Sequence, residues 1–544
     1  MPTGEPLPAG PAFPYKAAVL AVSAPDDSAA AQADTRLMRP TDWLLCAAVM
    51  VLGLAGRLKF YSGMGLGDDF IFRGEVGTIL FNHQVLPDNQ AYRFVWWLPT
   101  ALSCRVFGLT ELGLILPFVV ASVLGIGAVY ALGLALYGRA GAVIASLLVA
   151  VTPIDFVWST MMSPDIMLSL MHALTILFVV RALQLREPLR RRRAWFFAAV
   201  CLWLSYHSKI PGILAAPAIA LAMLASWRRL DRQVWTFFAT AAVLFGCTLL
   251  VAYVFWADPF IAFNNELKFQ GLSGPQAVAR RVYPGVFWYY PQLLFQNDHL
   301  GDLLYSVHPH LLILMALVAP FLGLRSSWIV FWWLLFVFLG MQFNFQRVEG
   351  VWIAGFRNIR HIHCLLYPTV LLLTGFLVSL RQRHPRLVDV GVAALLLFSF
   401  RESVNAAWAP RTAFAERRRV CNWIEDNIPK GTRIHAEQGL QMWCSILDET
   451  NGAPRITVLD PSADRRRAQL QNIQSGYVVT GGANDPVYGC PPCIPRATEL
   501  NPARWRLVQA FPDPEPVTDW FFEGVRVWEA VPPAPVAPTP APAP

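Results

Sequence analysis

The chain has 544 residues, of which 55% are hydrophobic, 13% aromatic and only 15% charged, with a mean hydropathy of +0.43. Soluble domains carry about 25% charged residues, so this composition argues against a soluble multi-domain enzyme and for a polytopic α-helical membrane protein. The net charge of +8 does not call for nucleic acid, because the basic residues flank apolar runs, where Lys and Arg mark the cytoplasmic side of a membrane.

Residues 1–40 are Ala/Pro/Asp-rich without an amphipathic period and read as a disordered cytoplasmic tail. A bilayer core takes roughly 20 apolar residues per helix. Spans are predicted at 42–60, 112–136, 140–158, 165–184, 194–207, 211–227, 234–256, 309–324, 327–343, 362–380 and 386–403. The apolar stretch 93–108 holds Pro99 and Arg105 and is bounded by Arg93 and Glu111, which predicts a helix lying along the outer face. The loops 137–139, 184–194, 228–233, 325–326 and 381–386 all carry arginine and are expected in the cytoplasm. That makes eleven spans in a membrane domain over 41–403, with the N-terminus inside and the C-terminus outside.

The outer face then receives the loops 61–111, 257–308 and 344–361 and a short one at 159–164. A soluble periplasmic domain is expected over 404–530. Within it, 414–428 reads as an amphipathic helix with Val420, Trp423, Ile424 and Ile428 on one face, ending at Pro429. The pieces RIHAEQG, RITVLD and YVVTGG read as short strands, giving a small α/β or α+β domain. Residues 531–544 are a Pro/Ala-rich disordered tail.

The first outer loop carries the acidic pair Asp68 and Asp69 in GMGLGDDFIFRGEVGTILFNHQ. Phe70, Val76, Ile79 and Leu80 form one apolar stripe of a helix that begins there. The pair therefore sits where the helix dipole favours carboxylates. One reading is a helix cap in a solvated loop. The other is a general base or a metal ligand at the membrane surface, between Arg57 and Arg73, with Glu75 two turns along the helix.

A first span ending in Arg, followed by an acidic pair opening a helix, resembles the GT-C superfamily of membrane glycosyltransferases. The protein O-mannosyltransferase and aminoarabinose-transferase branch is the nearest in pattern. YRFVWWLPTALSCRVFGLTELGLILPFVVASVLG is similar to that branch's surface helix and second span. SPDIMLSLMHALTILFVVRAL is similar to its outer acidic residue and following span. LSYHSKIPGILAAPAIAL and FRNIRHIHCLLYPTVLLL are similar to its Lys loop and to the Arg-bearing start of a late span. The family's acidic pair is usually Asp-Glu, and here it is Asp-Asp.

The resemblance implies a bacterial inner-membrane enzyme that transfers a sugar from a polyprenyl-phosphate-linked donor to a glycan, lipid or protein acceptor. Asp68 would be the base, with Asp69 as its partner, and the two would be the ligands of any divalent metal. No other cofactor is implied. Lys209, Arg357, Arg360 and His361 would bind the donor phosphate, where Arg offers bidentate contacts and Lys a point charge. Asp165, Glu75 and Arg93 would orient sugar or acceptor. Each has a plainer reading: Lys209 as a snorkelling span end, Asp165 as a cap. His363 would add a further donor beside His361, Asp155 and Glu349 are weaker candidates, and Arg280 and Arg281 stand in an aromatic-rich loop.

Of nine cysteines, Cys421, Cys444, Cys490 and Cys493 lie in the outer domain, where disulfides persist. Four cysteines allow three pairings. The alternative function is a transporter or flippase for a lipid-linked substrate. Such a protein should place charges at mid-membrane and show repeated halves, and this chain shows no internal repeat.

Overall fold

The computed structural model describes residues 38–63, 67–82, 92–261, 264, 317–322, 327–343, 345–348, 351–354, 359–413, 415–437, 440–441, 444, 455–460, 462–483, 495–511 and 522–531. Nearly all of both expected tails, most of the loop 257–308 and most of the expected span 309–324 lie outside these residues. The helices are α1 (Pro40–Lys59), α2 (Gly67–Asn82), α3 (Phe94–Phe107), α4 (Glu111–Val151), α5 (Pro153–Trp158), α6 (Pro164–Gln184) and α7 (Pro188–Ser208). They continue as α8 (Ala216–Ala225), α9 (Trp235–Trp256), α10 (Trp328–Gln342), α11 (His363–Arg381), α12 (Pro385–Ala413), α13 (Ala415–Asn427) and α14 (Ala463–Asn472).

Among the described residues, five helical stretches are long and apolar enough to cross a membrane: Pro40–Lys59, Glu111–Val151, Pro164–Gln184, Arg232–Trp256 and His363–Arg381. The longest is a hairpin. Gly138 has φ 79° inside it, a left-handed turn that glycine adopts without steric cost. A β-carbon on Gly133 would lie 3.0 Å from the Ala142 backbone, although nine residues of straight helix span roughly 13 Å. Gly53 of α1 sits beside both Ile126 and Ala150, each twelve residues from that turn. The two arms therefore run back to back against α1.

Polar ties sort the helix ends. At one end Arg139, after the hairpin turn, donates to Asp42 in the first turn of α1 at 2.7 Å. Arg191, at the start of α7, donates to Asp231, between α8 and α9, at 2.7 Å. Tyr137 and Ser327, which precedes α10, share a hydrogen bond of 3.1 Å. With Gln184 at the end of α6 donating to the Ala135 carbonyl at 3.1 Å, the turns that carry Arg139, Arg191 and Arg232 gather at one end, and the opposite end collects the close of α1, α4 and α7 and the start of α6 and α11. The helix α3 has 14 residues, short of a bilayer, and packs on the start of α4.

Among the described residues, two sheets complete the fold. β1 (Phe345–Val348) and β2 (Val351–Ala354) form an antiparallel hairpin. The C-terminal sheet contains β3 (Ile434–Ala436), β4 (Ile456–Val458), β5 (Tyr477–Ala483), β6 (Trp505–Ala510) and β7 (Phe522–Ala530). Its order is β4-β3-β5-β7-β6, parallel where β3 meets β4 and β5 and antiparallel elsewhere. The stripe of α13 supplies its core: Val420, Ile424 and Ile428 are buried with Ile434, Ile456 and Val479. A disulfide joins Cys421 of α13 to Cys444. Cys490 and Cys493 lie outside the described residues.

Candidate active site at one end of the helix bundle

Arg57 falls in the last turn of the apolar helix α1, where an ionised side chain needs a partner in protein. Its partner is Asp155 of α5, and both side chains are fully excluded from solvent. Arg57 also donates to Ser122 Oγ at 2.8 Å and to the carbonyls of Gly53 and Ala150 at 2.9 and 3.2 Å. The Asp155 carboxylate accepts from Arg57, from Ser122 Oγ at 2.5 Å, from His363 Nε2 at 2.7 Å and from Tyr367 Oη at 3.4 Å. A carboxylate has about four acceptor sites, so this one is saturated. The cluster ties α1, both arms of α4, α5 and α11 together.

His363 carries the cluster onward. Its Nδ1 lies 2.7 Å from Ser169 Oγ, which lies 2.9 Å from the Asp165 carbonyl. Asp165, in the first turn of α6, accepts from Lys209 Nζ at 2.9 Å. Lys209 caps the C-terminus of α7, and the chain then folds back over that helix end. Gly212 permits the reversal, because a β-carbon there would lie 2.1 Å from the Ser205 carbonyl oxygen. The Gly212 carbonyl accepts from Ser205 Oγ at 2.8 Å and from His172 Nε2 at 2.9 Å. The ammonium is therefore held at one spot rather than left to snorkel.

The acidic helix meets the same end. Phe72 of α2 packs on Trp96 of α3, with ring centroids 4.8 Å apart. Just before α3, the Tyr92 carbonyl accepts from His207 Nδ1 at 2.7 Å, two residues before Lys209. Ser62, ahead of α2, donates its N–H to Thr160 Oγ1 at 3.2 Å.

The family described as dolichyl-phosphate-mannose-protein mannosyltransferase matches residues 94–256. Among solved structures, ArnT from Cupriavidus metallidurans bound to undecaprenyl phosphate superposes with a TM-score of 0.58 at 14% identity, over 90% of this chain and 98% of that one. Its apo state gives a TM-score of 0.54 at 14% identity over the same shares. The chain shares the fold of ArnT over most of its length. The Archaeoglobus fulgidus oligosaccharyltransferase, in complex with Zn and sulfate, adds a TM-score of 0.52 at 13% identity, over 80% of this chain and 68% of that one. No curated protein matches the sequence.

Within this fold, the sequence-predicted residues fall into four groups. Asp165 and Lys209 meet directly, and Arg93 is buried at the N-terminal cap of α3 beside Tyr92. Asp68 and Asp69 occupy the first turn of α2 and Glu75 lies half-buried further along it, while the side chains of the two aspartates lie outside the described residues. Arg360 and half-buried His361 belong to the 3-10 turn Ile359–Ile362, with the Arg360 side chain outside the described residues. Arg357, Glu349, Arg280 and Arg281 lie outside them altogether. Among the described residues no group of three or more His, Cys, Asp or Glu is placed to hold a metal.

Sequence reasoning underrated Asp155, took His363 only as a further phosphate donor, and missed Ser122, Ser169 and Tyr367. A signal was present: Asp155 interrupts the apolar stretch VTPIDFVW, and Arg57 interrupts α1. Two opposite charges in apolar segments need each other. Arg57, Asp155 and His363 are fully buried, and their bonds hold the ends of several helices together. His363 opens α11 directly after the turn that carries Arg360 and His361, so its bond to Asp155 holds that turn in place.

Proposed function

We propose that the chain is a glycosyltransferase that moves a sugar from a polyprenyl-phosphate-linked donor to an envelope glycan, lipid or protein. The reaction takes place on the periplasmic face of a bacterial inner membrane, with the arginine-bearing turns in the cytoplasm and the C-terminal sheet domain in the periplasm. The observation that carries this reading is the meeting of Lys209 and Asp165 at the bundle end reached by the acidic helix α2. The ArnT structure of the same fold holds undecaprenyl phosphate.

Asp68 acts as general base, with Asp69 beside it, and removes the proton of the acceptor hydroxyl. The acceptor oxygen forms its bond to the anomeric carbon as the carbon–oxygen bond to phosphate breaks. Those bonding electrons leave on the polyprenyl phosphate, and one such displacement inverts the anomeric centre. Lys209, Arg357, Arg360 and His361 stabilise the charge that develops on the leaving phosphate. Asp165 orients the Lys209 ammonium and offsets its desolvation. Glu75 and Arg93 orient the sugar or the acceptor.

The test compares envelope glycans and lipids by mass spectrometry in cells with and without the gene, followed by transfer in proteoliposomes from purified polyprenyl-phosphate sugars. A hexose or pentose increment that disappears with the gene and returns with the protein supports the reading. Translocation of a lipid-linked sugar with no transfer product would instead establish a flippase.

A further inference from the structure

Outside the charged cluster, and among the described residues, Arg73 joins the acidic helix to the C-terminal domain. Arg73 of α2 stands one helical turn after Asp69 and is only 16% exposed. Its guanidinium donates from Nη2 to Glu425 Oε1 at 2.6 Å and from Nη1 to the Cys444 carbonyl at 3.2 Å. Glu425 and Cys421 lie four residues apart on α13, on one helix face. Cys421 is bonded to Cys444. The disulfide therefore holds the two acceptors of Arg73 side by side, and it lies in the buried core of the sheet domain. A planar guanidinium with two donors in fixed geometry suits two acceptors held at a fixed separation.

We propose that Arg73 is a positioning residue: the C-terminal domain sets the placement of the acidic helix through it, and the Cys421–Cys444 bond builds the socket that receives it. The proposal rests on the glycosyltransferase reading for its effect on rate, but the contact itself does not. The sheet domain is then part of the catalytic apparatus, and reduction of one disulfide slows transfer without unfolding the membrane bundle. Small displacements of a reacting group cost on the order of a hundredfold in rate.

The experiment uses full-length protein in proteoliposomes. Arg73→Gln should lower kcat by on the order of ten- to a hundredfold while leaving the KM for the lipid-linked donor unchanged. Glu425→Arg should do the same, and Arg73→Glu combined with Glu425→Arg should recover much of the loss. Reduction should slow the native enzyme but not slow Arg73→Gln further. Hydrogen exchange of the amides over 67–82 should quicken in Arg73→Gln and on reduction. That readout needs no activity, so it decides the contact even if the native protein transfers nothing, a result that would remove the function and not the clamp. Unchanged exchange over 67–82 in Arg73→Gln overturns the proposal, as does equal loss of rate in the charge-swapped pair and in either single variant.

Discussion

Arg57 and Asp155 stand 98 residues apart in sequence and form an ion pair from which solvent is wholly excluded. The pair joins the end of the first helix to the short helix after the hairpin. Removing one member should expose how much the other costs. Asp155→Asn leaves Arg57 buried with neutral partners and should destabilise the protein by about 3–5 kcal/mol. Arg57→Met with Asp155→Leu should cost less than the two single changes together, because neither charge is left alone. Thermal denaturation in detergent measures both, and additive losses would show that the pair is not coupled.

The acidic helix carries the second prediction. Asp68→Asn keeps size and capping ability but removes the proton acceptor. Transfer should fall by on the order of 10²–10⁴, with donor binding and folded yield retained. Loss of folded protein would favour the helix-cap role for Asp68. Full activity in both Asp68→Asn and Asp69→Asn would remove general base catalysis from this loop.

Lys209 and Asp165 can be separated by exchange. Lys209→Gln removes a charge-assisted bond worth about 1.5–3 kcal/mol, so the KM for the donor should rise by one to two orders of magnitude. Asp165→Asn should keep the lysine but relax its placement, with a smaller rise. If Lys209 serves only to neutralise Asp165, Lys209→Gln with Asp165→Asn will bind donor like the native protein, and the phosphate role is lost.

Topology follows from the ties at the helix ends. Reporters fused after Gly138 and Arg193 should both read cytoplasm, and one fused after Arg411 should read the periplasm. A cytoplasmic signal at Arg411 would separate the sheet domain from the acidic helix and contradict the contact of Arg73 with Glu425.

The disulfides can be counted. Alkylation of denatured, unreduced protein should spare Cys421 and Cys444, and should also spare Cys490 and Cys493, which then have only each other. The five remaining cysteines, Cys46, Cys104, Cys201, Cys247 and Cys364, should label. Reduction should lower stability by ~2–4 kcal/mol for each structural bond. Seven labelled cysteines would show that the CPPC segment is reduced.

Much of the helical framework was legible because a chain in a bilayer must satisfy its own backbone hydrogen bonds, and long apolar runs become helices. The turn near Gly138 announced itself by Gly and Arg between two apolar runs, and the 14-residue α3 by Pro99 and Arg105 inside a short one. The stripe Val420, Ile424, Ile428 marked the buried face of α13 by its period alone. The strands β6 and β7 were not anticipated; they pair antiparallel with a register shift between Leu507 and Gln509.

The sequence by itself determined which segments are apolar helices, which turns carry arginine, and that an acidic pair opens a helix beside the first span. Only the tertiary structure decided that Asp155 serves Arg57 and His363, that Lys209 is held by Asp165, and that Arg73 reaches the C-terminal domain. The reason is physical. Periodicity is set by neighbours three or four residues away, whereas these pairs join residues 44 to 352 positions apart. Their distance is fixed by how helices pack, and no local pattern in the chain records it.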